Sequence, residues 1–329
     1  MPRRLPRLFA AALLAPALAA CSLLGDTTAR EPAPAGGAVE KPALRVAVLP
    51  SVEVAPLHLA IEEGYFRDEG ISSVEVITVA SGQASTAGLI GGDYDLAYSS
   101  YVPVILAQAR GAADLRIVTD NSGAAPNTAM LVTSATSRVR QVTDLTGATI
   151  AVPAVNTLAD LMVKSVLNTQ GVDVGSVQWV PMSFADMPSA LERGDITAAM
   201  MVEPFITQAV TASGATPLAD LATGPTADLP FTAYAATTRW VTANPATVRA
   251  WQRTMIRATR AASDRSAVER VVVESAKVDP DIVALIAMPQ FRATLDTTRI
   301  QRVADLMHQF GILEERFDVA PMLLPPPSS

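Results

Sequence analysis

The feature that most constrains this chain is an internal repeat. Leu89-Ile-Gly-Gly-Asp-Tyr-Asp-Leu-Ala97 and Leu191-Glu-Arg-Gly-Asp-Ile-Thr-Ala-Ala199 both read Leu-x-x-Gly-Asp-x-x-x-Ala, 102 residues apart. Ser81 and Ser183 match at the same offset, and Pro103 and Pro204 at 101. The elements around the two copies follow one order. In the first copy, residues 44–49 are a short apolar run, and 56–66 carry helical spacing through Leu57, Ile61 and Tyr65, with Pro56 suited to a first helical turn. Residues 74–79 are rich in β-formers, 85–90 make a short helix ended by Gly91-Gly92, 96–99 a strand, and 103–109 a helix. In the second copy, strand 149–152 precedes helix 158–170, strand 177–182, helix 187–192 ended by Gly194, strand 198–202 and helix 204–213. Strands alternating with helices predict parallel sheets covered by helices, and two such units predict two α/β lobes.

The remainder is unequal. Residues 231–238 read as extended. Helices are expected at 245–262, with Val248, Trp251, Met255 and Ala258 on one face, and at 267–276, 280–288 and 297–310. A helix-rich tail after two matched units implies that the chain returns to the first lobe. The length agrees, since 329 residues at roughly 150 per domain make about two domains. With half its residues apolar and 17% charged, the chain has material for a sizeable core and is not disordered. A single cysteine excludes a disulfide scaffold, and with only His58 and His308 beside it leaves little for a zinc site; no metal or cofactor is expected. A net charge of −7 argues against a nucleic-acid partner.

The N-terminus is built for export. Arg3, Arg4 and Arg7 precede a short apolar stretch, too short to span a bilayer as a helix, and residues 1–20 read as a signal peptide. Leu18-Ala19-Ala20-Cys21 resembles the bacterial lipobox. That resemblance implies that Cys21 is acylated and becomes the mature N-terminus, because several acyl chains hold a protein at a membrane where one holds it only marginally. Residues 21–42, with Pro32, Pro34, Gly36, Gly37 and Pro42, read as a flexible tether, and 319–329 as a loose tail.

Leu44-Arg-Val-Ala-Val, then Ala55-Pro-Leu-His-Leu-Ala-Ile-Glu-Glu-Gly-Tyr-Phe66-Arg-Asp-Glu-Gly70, then Gly92-Asp-Tyr-Asp-Leu-Ala97, resemble the nitrate/sulfonate/taurine-type substrate-binding proteins of ABC importers (SsuA-like and NMT1/THI5-like). Val142-Thr-Asp-Leu-Thr-Gly-Ala-Thr-Ile-Ala-Val-Pro153, Val202-Glu203-Pro204, Asn244-Pro245 and Gly311 extend the resemblance from about residue 44 to 316. One departure is Thr197, where the family usually has a second acid after Gly-Asp. The resemblance implies a type II periplasmic-binding-protein fold: two α/β lobes joined by two crossover segments, with a ligand cleft between them. On this mapping lobe 1 is 43–125 plus 235–318, lobe 2 is 126–234, and the crossovers lie near 121–127 and 233–238.

Ligands of open α/β sheets bind beyond the carboxyl ends of the strands, where helix N-termini offer free N–H groups. Those ends supply the expected ligand-binding residues: Ser51, Glu53, Ser81, Gln83, Ser99, Ser100, Tyr101, Asn156, Thr157, Phe184, Met201 and Glu203. Hydroxyls and amides donate, Tyr101 adds an apolar face, Met201 an apolar wall, and Glu53 suits a ligand amine. Each has a structural alternative, since Ser and Asn before helices serve as N-caps. None of these loops contains Lys or Arg, which favours a neutral, zwitterionic or heteroaromatic ligand over a multiply charged anion.

The expected function is capture of a small molecule, of nitrate, sulfonate, taurine or thiamine pyrimidine-precursor type, and its delivery to a membrane permease and, through it, an ATPase. The protein would act as a monomer held by Cys21 at the outer face of the bacterial cytoplasmic membrane. Two alternatives stay open. The same fold hosts lyases and pyrimidine synthases, although the sequence has no Gly-x-Ser-x-Gly elbow, phosphate loop or Cys/His cluster. A lipid-anchored solute sensor would share every feature above.

Overall fold

The structure, a computed structural model, describes residues 38–327. The expected signal segment, Cys21 and most of the tether lie outside the described residues. The end of the tether that is described is docked, which corrects its expected extent to residue 42. Glu40 accepts the Ala246 and Thr247 backbone N–H groups at 3.0 and 2.8 Å, and Pro42 accepts the Ser72 N–H at 2.7 Å. Desolvation raises the Glu40 carboxyl, but the two backbone donors outweigh it and hold the pKa at about 2. The expected loose tail is also tied down as far as Pro325. Leu324 donates to Ile117, Gln252 donates to Pro325, and Met322 is buried.

The chain opens with β1 (Ala43–Val48), α1 (Ala55–Glu62), α2 (Tyr65–Asp68), β2 (Ser73–Thr78), α3 (Gly82–Gly91), β3 (Leu96–Ser100), α4 (Tyr101–Ala109) and β4 (Leu115–Gly123). It continues with β5 (Ala129–Thr133), β6 (Thr149–Val152), α5 (Leu158–Thr169), β7 (Gln178–Pro181), α6 (Met187–Arg193), β8 (Ala198–Val202), α7 (Phe205–Ser213) and β9 (Thr216–Asp220). It closes with β10 (Pro230–Thr237), α8 (Thr238–Ala243), α9 (Pro245–Ala261), α10 (Arg265–Ala276), α11 (Pro280–Leu285), β11 (Gln290–Phe291) and α12 (Thr297–Gln309). The single helix expected at 56–66 is two, because Gly64 takes a left-handed φ of 74° that ends one and starts the next.

Two sheets form, in the orders β11-β4-β10-β3-β1-β2 and β7-β6-β8-β5-β9. Within each, the first three strands of the repeat are parallel: β1 with β2 and β3, and β6 with β7 and β8. The sheets are mixed rather than purely parallel. β10 runs antiparallel between β3 and β4, and β5 runs antiparallel between β8 and β9. β5 and β10 each follow a crossing, so each enters its sheet from the opposite end. The first crossing runs through 124–128, because residues 121–123 of the expected 121–127 still belong to β4. The second runs through 221–229, not 233–238, because Ala233–Ala235 already pair with β3 and β4 of the first sheet.

The repeat is exact in backbone function. Val46 registers with Leu96 in one sheet and Ile150 with Ala198 in the other. Gly92 and Gly194 end α3 and α6 in the left-handed region, at φ 84° and 74°. Asp95 donates its N–H to Arg45, as Thr197 does to Thr149. The departure at Thr197 is thereby explained: Asp95 Oδ2 accepts the Arg45 N–H at 2.8 Å, and Thr197 Oγ1 accepts the equivalent Thr149 N–H at 3.3 Å. Either side chain, just before or at the entry to its own strand, accepts a backbone N–H from the neighbouring strand β1 or β6, so the acid is structural. Beyond the repeat, α9 buries Val248, Trp251, Met255 and Ala258 as its spacing predicts, and Trp251 meets Phe66 and Tyr234 at ring distances of 5.2 and 5.0 Å. α9 and α10 pack on α1, and α12 on α4, returning the tail to the first sheet.

Candidate functional site

A cavity of about 70 Å³ lies where the carboxyl ends of β1, β3, β6 and β8 meet. From the first sheet's side it is walled by Leu49, Ser51, Glu53, Ser81, Gly82, Tyr98 and Ser100, with Phe231 and Thr232 of β10. Pro153, Thr157, Leu158, Ala159, Met162, Phe184, Met200 and Val202 wall the other side. Hydrogen bonds at and beside the cavity join its two sides. The Leu158 N–H donates to Ser100 Oγ, and the Val52 N–H donates to the Glu203 carbonyl, both at 3.4 Å.

Glu53 supplies the only ionisable carboxylate of the lining. It sits in a short turn between β1 and α1, and neighbouring strands aim hydroxyls at it. Tyr98 donates to Oε2 at 2.6 Å, Ser122 to Oε1 at 2.8 Å, and Ser51 to Oε2 at 3.3 Å. Asn121 holds the backbone of the same turn by donating to the Glu53 carbonyl at 2.9 Å. Burial raises the Glu53 carboxyl above its ordinary value, against the three hydroxyls, which lower it. Tyr98 is raised well above its usual range by burial and by the Glu53 charge beside it, so it stays a neutral donor.

Of the expected residues, Ser51, Glu53, Ser81, Ser100, Thr157 and Phe184 line this cavity. Ser81 also caps α3 by accepting the Ala84 N–H, and Thr157 caps α5, so the structural alternative holds for both alongside their place in the wall. Six lie elsewhere. Gln83 is exposed and, with Asn156, lines a separate surface groove. Ser99 is buried behind the wall and donates to the Gly82 carbonyl at 3.0 Å. Tyr101 is buried and donates to Asp120 at 2.6 Å. Met201 is off by one: side chains alternate along β8, and Met200 and Val202 face the cavity instead. Glu203 turns its carboxylate toward Thr207, which donates from N–H and Oγ1 at 3.1 and 2.9 Å, and toward the Ala287 N–H at 3.2 Å.

Sequence reasoning missed Leu49, Gly82, Tyr98, Pro153, Leu158, Ala159, Met162, Met200, Val202, Phe231 and Thr232. Met162 was within reach, because it stands one helical turn beyond Leu158 at the mouth of α5. Phe231 and Thr232 carried no local signal; only the antiparallel entry of β10 beside β3 brings them in. Among the described residues, no group of His, Cys, Asp and Glu is placed to hold a metal ion, and no helix is long and apolar enough to cross a membrane.

A family model described as NMT1-like family matches residues 37–276. Among solved structures, the alkanesulfonate-binding protein SsuA from Xanthomonas axonopodis pv. citri, bound to MOPS, is 22% identical with a TM-score of 0.75, over 87% of this chain and 99% of its own. The periplasmic aliphatic sulphonate binding protein SsuA from Escherichia coli is 19% identical with a TM-score of 0.69, over 85% and 96%. The periplasmic nitrate-binding protein NrtA from Synechocystis PCC 6803 is 16% identical with a TM-score of 0.73, over 85% and 84%. None of the curated proteins matches the chain. These likenesses establish the expected two-lobed α/β fold of periplasmic binding proteins.

Proposed function

This chain belongs to the NMT1-like family, and we propose that it is the solute-binding lipoprotein of an ABC importer. It captures a small molecule in the cleft and presents it to a membrane permease coupled to an ATPase. One observation carries this reading: a cavity at the strand ends is walled by both halves of the chain and bridged by Ser100–Leu158 and Val52–Glu203. A solute seated there touches both walls, so it favours the arrangement in which they meet, and that difference is what a permease reads. Lobe 1 comprises 43–123 with 230–318, lobe 2 comprises 129–220, and the two crossings between them act as the hinge. The fold's likeness to sulfonate- and nitrate-binding proteins, and the family's link to thiamine pyrimidine precursors, supply the solutes to try first.

Residues 1–20 are removed on export, and Cys21 carries the lipid that holds the body, as a monomer, at the outer face of the cytoplasmic membrane. A Cys21→Ser chain should leave the membrane fraction or stay unprocessed; undiminished membrane retention counts against the anchor. For the transport role, deleting the gene should abolish uptake of the solute that binds the purified protein, and full uptake would refute it. An enzyme would need reacting groups in the cavity. Glu53 with Tyr98 is the single acid–base pair there, and a turnover assay on a bound solute separates that reading from binding alone.

A further inference from the structure

The geometry points to a solute that carries a positively charged nitrogen and seats it on the Glu53 carboxylate. This rests on the solute-binding reading above and specifies its ligand class. Glu53 faces the cavity, and the lining contains no Lys, Arg or His. Among the described residues, no ion pair includes Glu53 either. The carboxylate is not a stray charge, because Tyr98, Ser122 and Ser51 all donate to it and hold it in one orientation. A carboxylate accepts at about four lone-pair positions, so three hydroxyls leave one for a donor in the cavity. A buried charge that is hydrogen-bonded but lacks a counter-ion is completed by a cation and repels an anion.

The positive ends of nearby helices do not reverse this. At α3 the Ser81 hydroxyl already takes the Ala84 N–H. At α5 the Asp160 carboxylate takes the Asn156 and Thr157 N–H groups, at 3.0 and 2.7 Å, and is itself paired with Lys164. The rest of the wall defines the body of the solute. Met162, Met200, Phe184 and Phe231 offer apolar and aromatic surface, suited to a hydrocarbon or flat ring behind the charged nitrogen. The inferred class is therefore a small organic cation with N–H donors, an ammonium or an amidinium-like ring.

The test is calorimetric titration of the mature chain with benzylammonium and benzamidinium, with benzyl alcohol as the neutral isostere, and with nitrate and ethanesulfonate as anions. The expected result is binding of at least one cation, at least tenfold weaker binding of benzyl alcohol, and at least tenfold weaker cation binding in Glu53→Gln. Binding of an anion that Glu53→Gln leaves unchanged or strengthens overturns the cation class and leaves the solute-binding reading standing. Binding of no probe of either sign overturns both. Should Glu53→Gln fail to fold, the wild-type chain decides the matter through pH. Cation affinity should fall as pH drops through the raised Glu53 pKa. Ser51, Tyr98, Ser122, Asn121, Thr232 and Tyr234 around Glu53 do not ionise in acid, but Asp120 beside Asn121 is raised to about 7 and Glu203, whose carbonyl holds Val52, is raised too, so the profile is repeated in Asp120→Asn and Glu203→Gln, where a loss that belongs to Glu53 persists. A cation affinity that does not fall at any point as the pH is lowered overturns the inference.

Discussion

The Ala287 N–H donates to Oε1 of Glu203 at 3.2 Å, joining two residues 84 apart in sequence. Glu203 follows β8, and Ala287 follows α11, so this bond ties the end of a second-sheet strand to the helical tail of the first. The same carboxylate holds the first turn of α7 through Thr207. Glu203→Ala orphans two backbone donors at once. It should destabilise the fold by about 2–3 kcal/mol, at the upper end for hydrogen bonds to a charged group, in urea denaturation. Glu203→Gln, which keeps one carbonyl acceptor, should lose less.

Tyr98→Phe removes the shortest donor to Glu53, at 2.6 Å, without changing shape. With one fewer hydroxyl stabilising the ionised form, the Glu53 pKa should rise further. NMR titration of the Glu53 side-chain carboxyl should show the shift, and a downward move would contradict this network. The stability loss should be about 1–2 kcal/mol.

Asp120 makes stability depend on pH. Burial pushes its carboxyl up to about 7, against the Tyr101 hydroxyl, Arg299, the Asn121 N–H and Arg292, which lower it. The folded chain therefore holds this proton more tightly than the unfolded chain does. The contribution is fully present below the ordinary value of 3.8 and is lost as pH rises to about 7. Asp120→Asn cannot ionise. Its melting temperature should gain on the wild type between pH 4 and 7, and parallel curves would show that Asp120 titrates normally.

Gly82 is required by close approach. A Cβ there would lie 2.8 Å from Ser99 Oγ and 3.2 Å from the Ser100 backbone nitrogen, and Ser99 is pinned by its own bond to the Gly82 carbonyl. Gly82→Ala should cost about 1–3 kcal/mol as overpacking and should weaken solute binding, since it displaces Ser100 in the cavity wall. Gly92→Ala is the contrast. Nothing lies within 4 Å of its Cβ, so only its positive φ is penalised, by about 1–2 kcal/mol, with binding unchanged.

Much of the architecture was legible because it is local or repeated. The Leu-x-x-Gly-Asp pattern marks a helix end, a left-handed glycine and the entry to a parallel strand, and both copies fold that way. Helical spacing in 245–262 placed Trp251 in the core. Strand-end loops pointed to the cavity, and six of twelve expected residues line it. Residues such as Met201 and Tyr101 were misplaced by phase rather than by element. A one-residue step along a strand, or from a strand into the first turn of a helix, turns a side chain from cleft to core.

The sequence by itself determined two α/β units, their element order and the absence of basic residues from the strand-end loops, because periodicity, glycine positions and residue type are local properties. The tertiary structure decided which strands cross between sheets, and therefore that Phe231 and Thr232 face the cleft. It also decided that Tyr98, Ser122 and Ser51, from three separate segments, converge on Glu53. Such a constellation depends on sheet order and on packing between distant segments. Neither leaves a trace in the spacing of neighbouring residues.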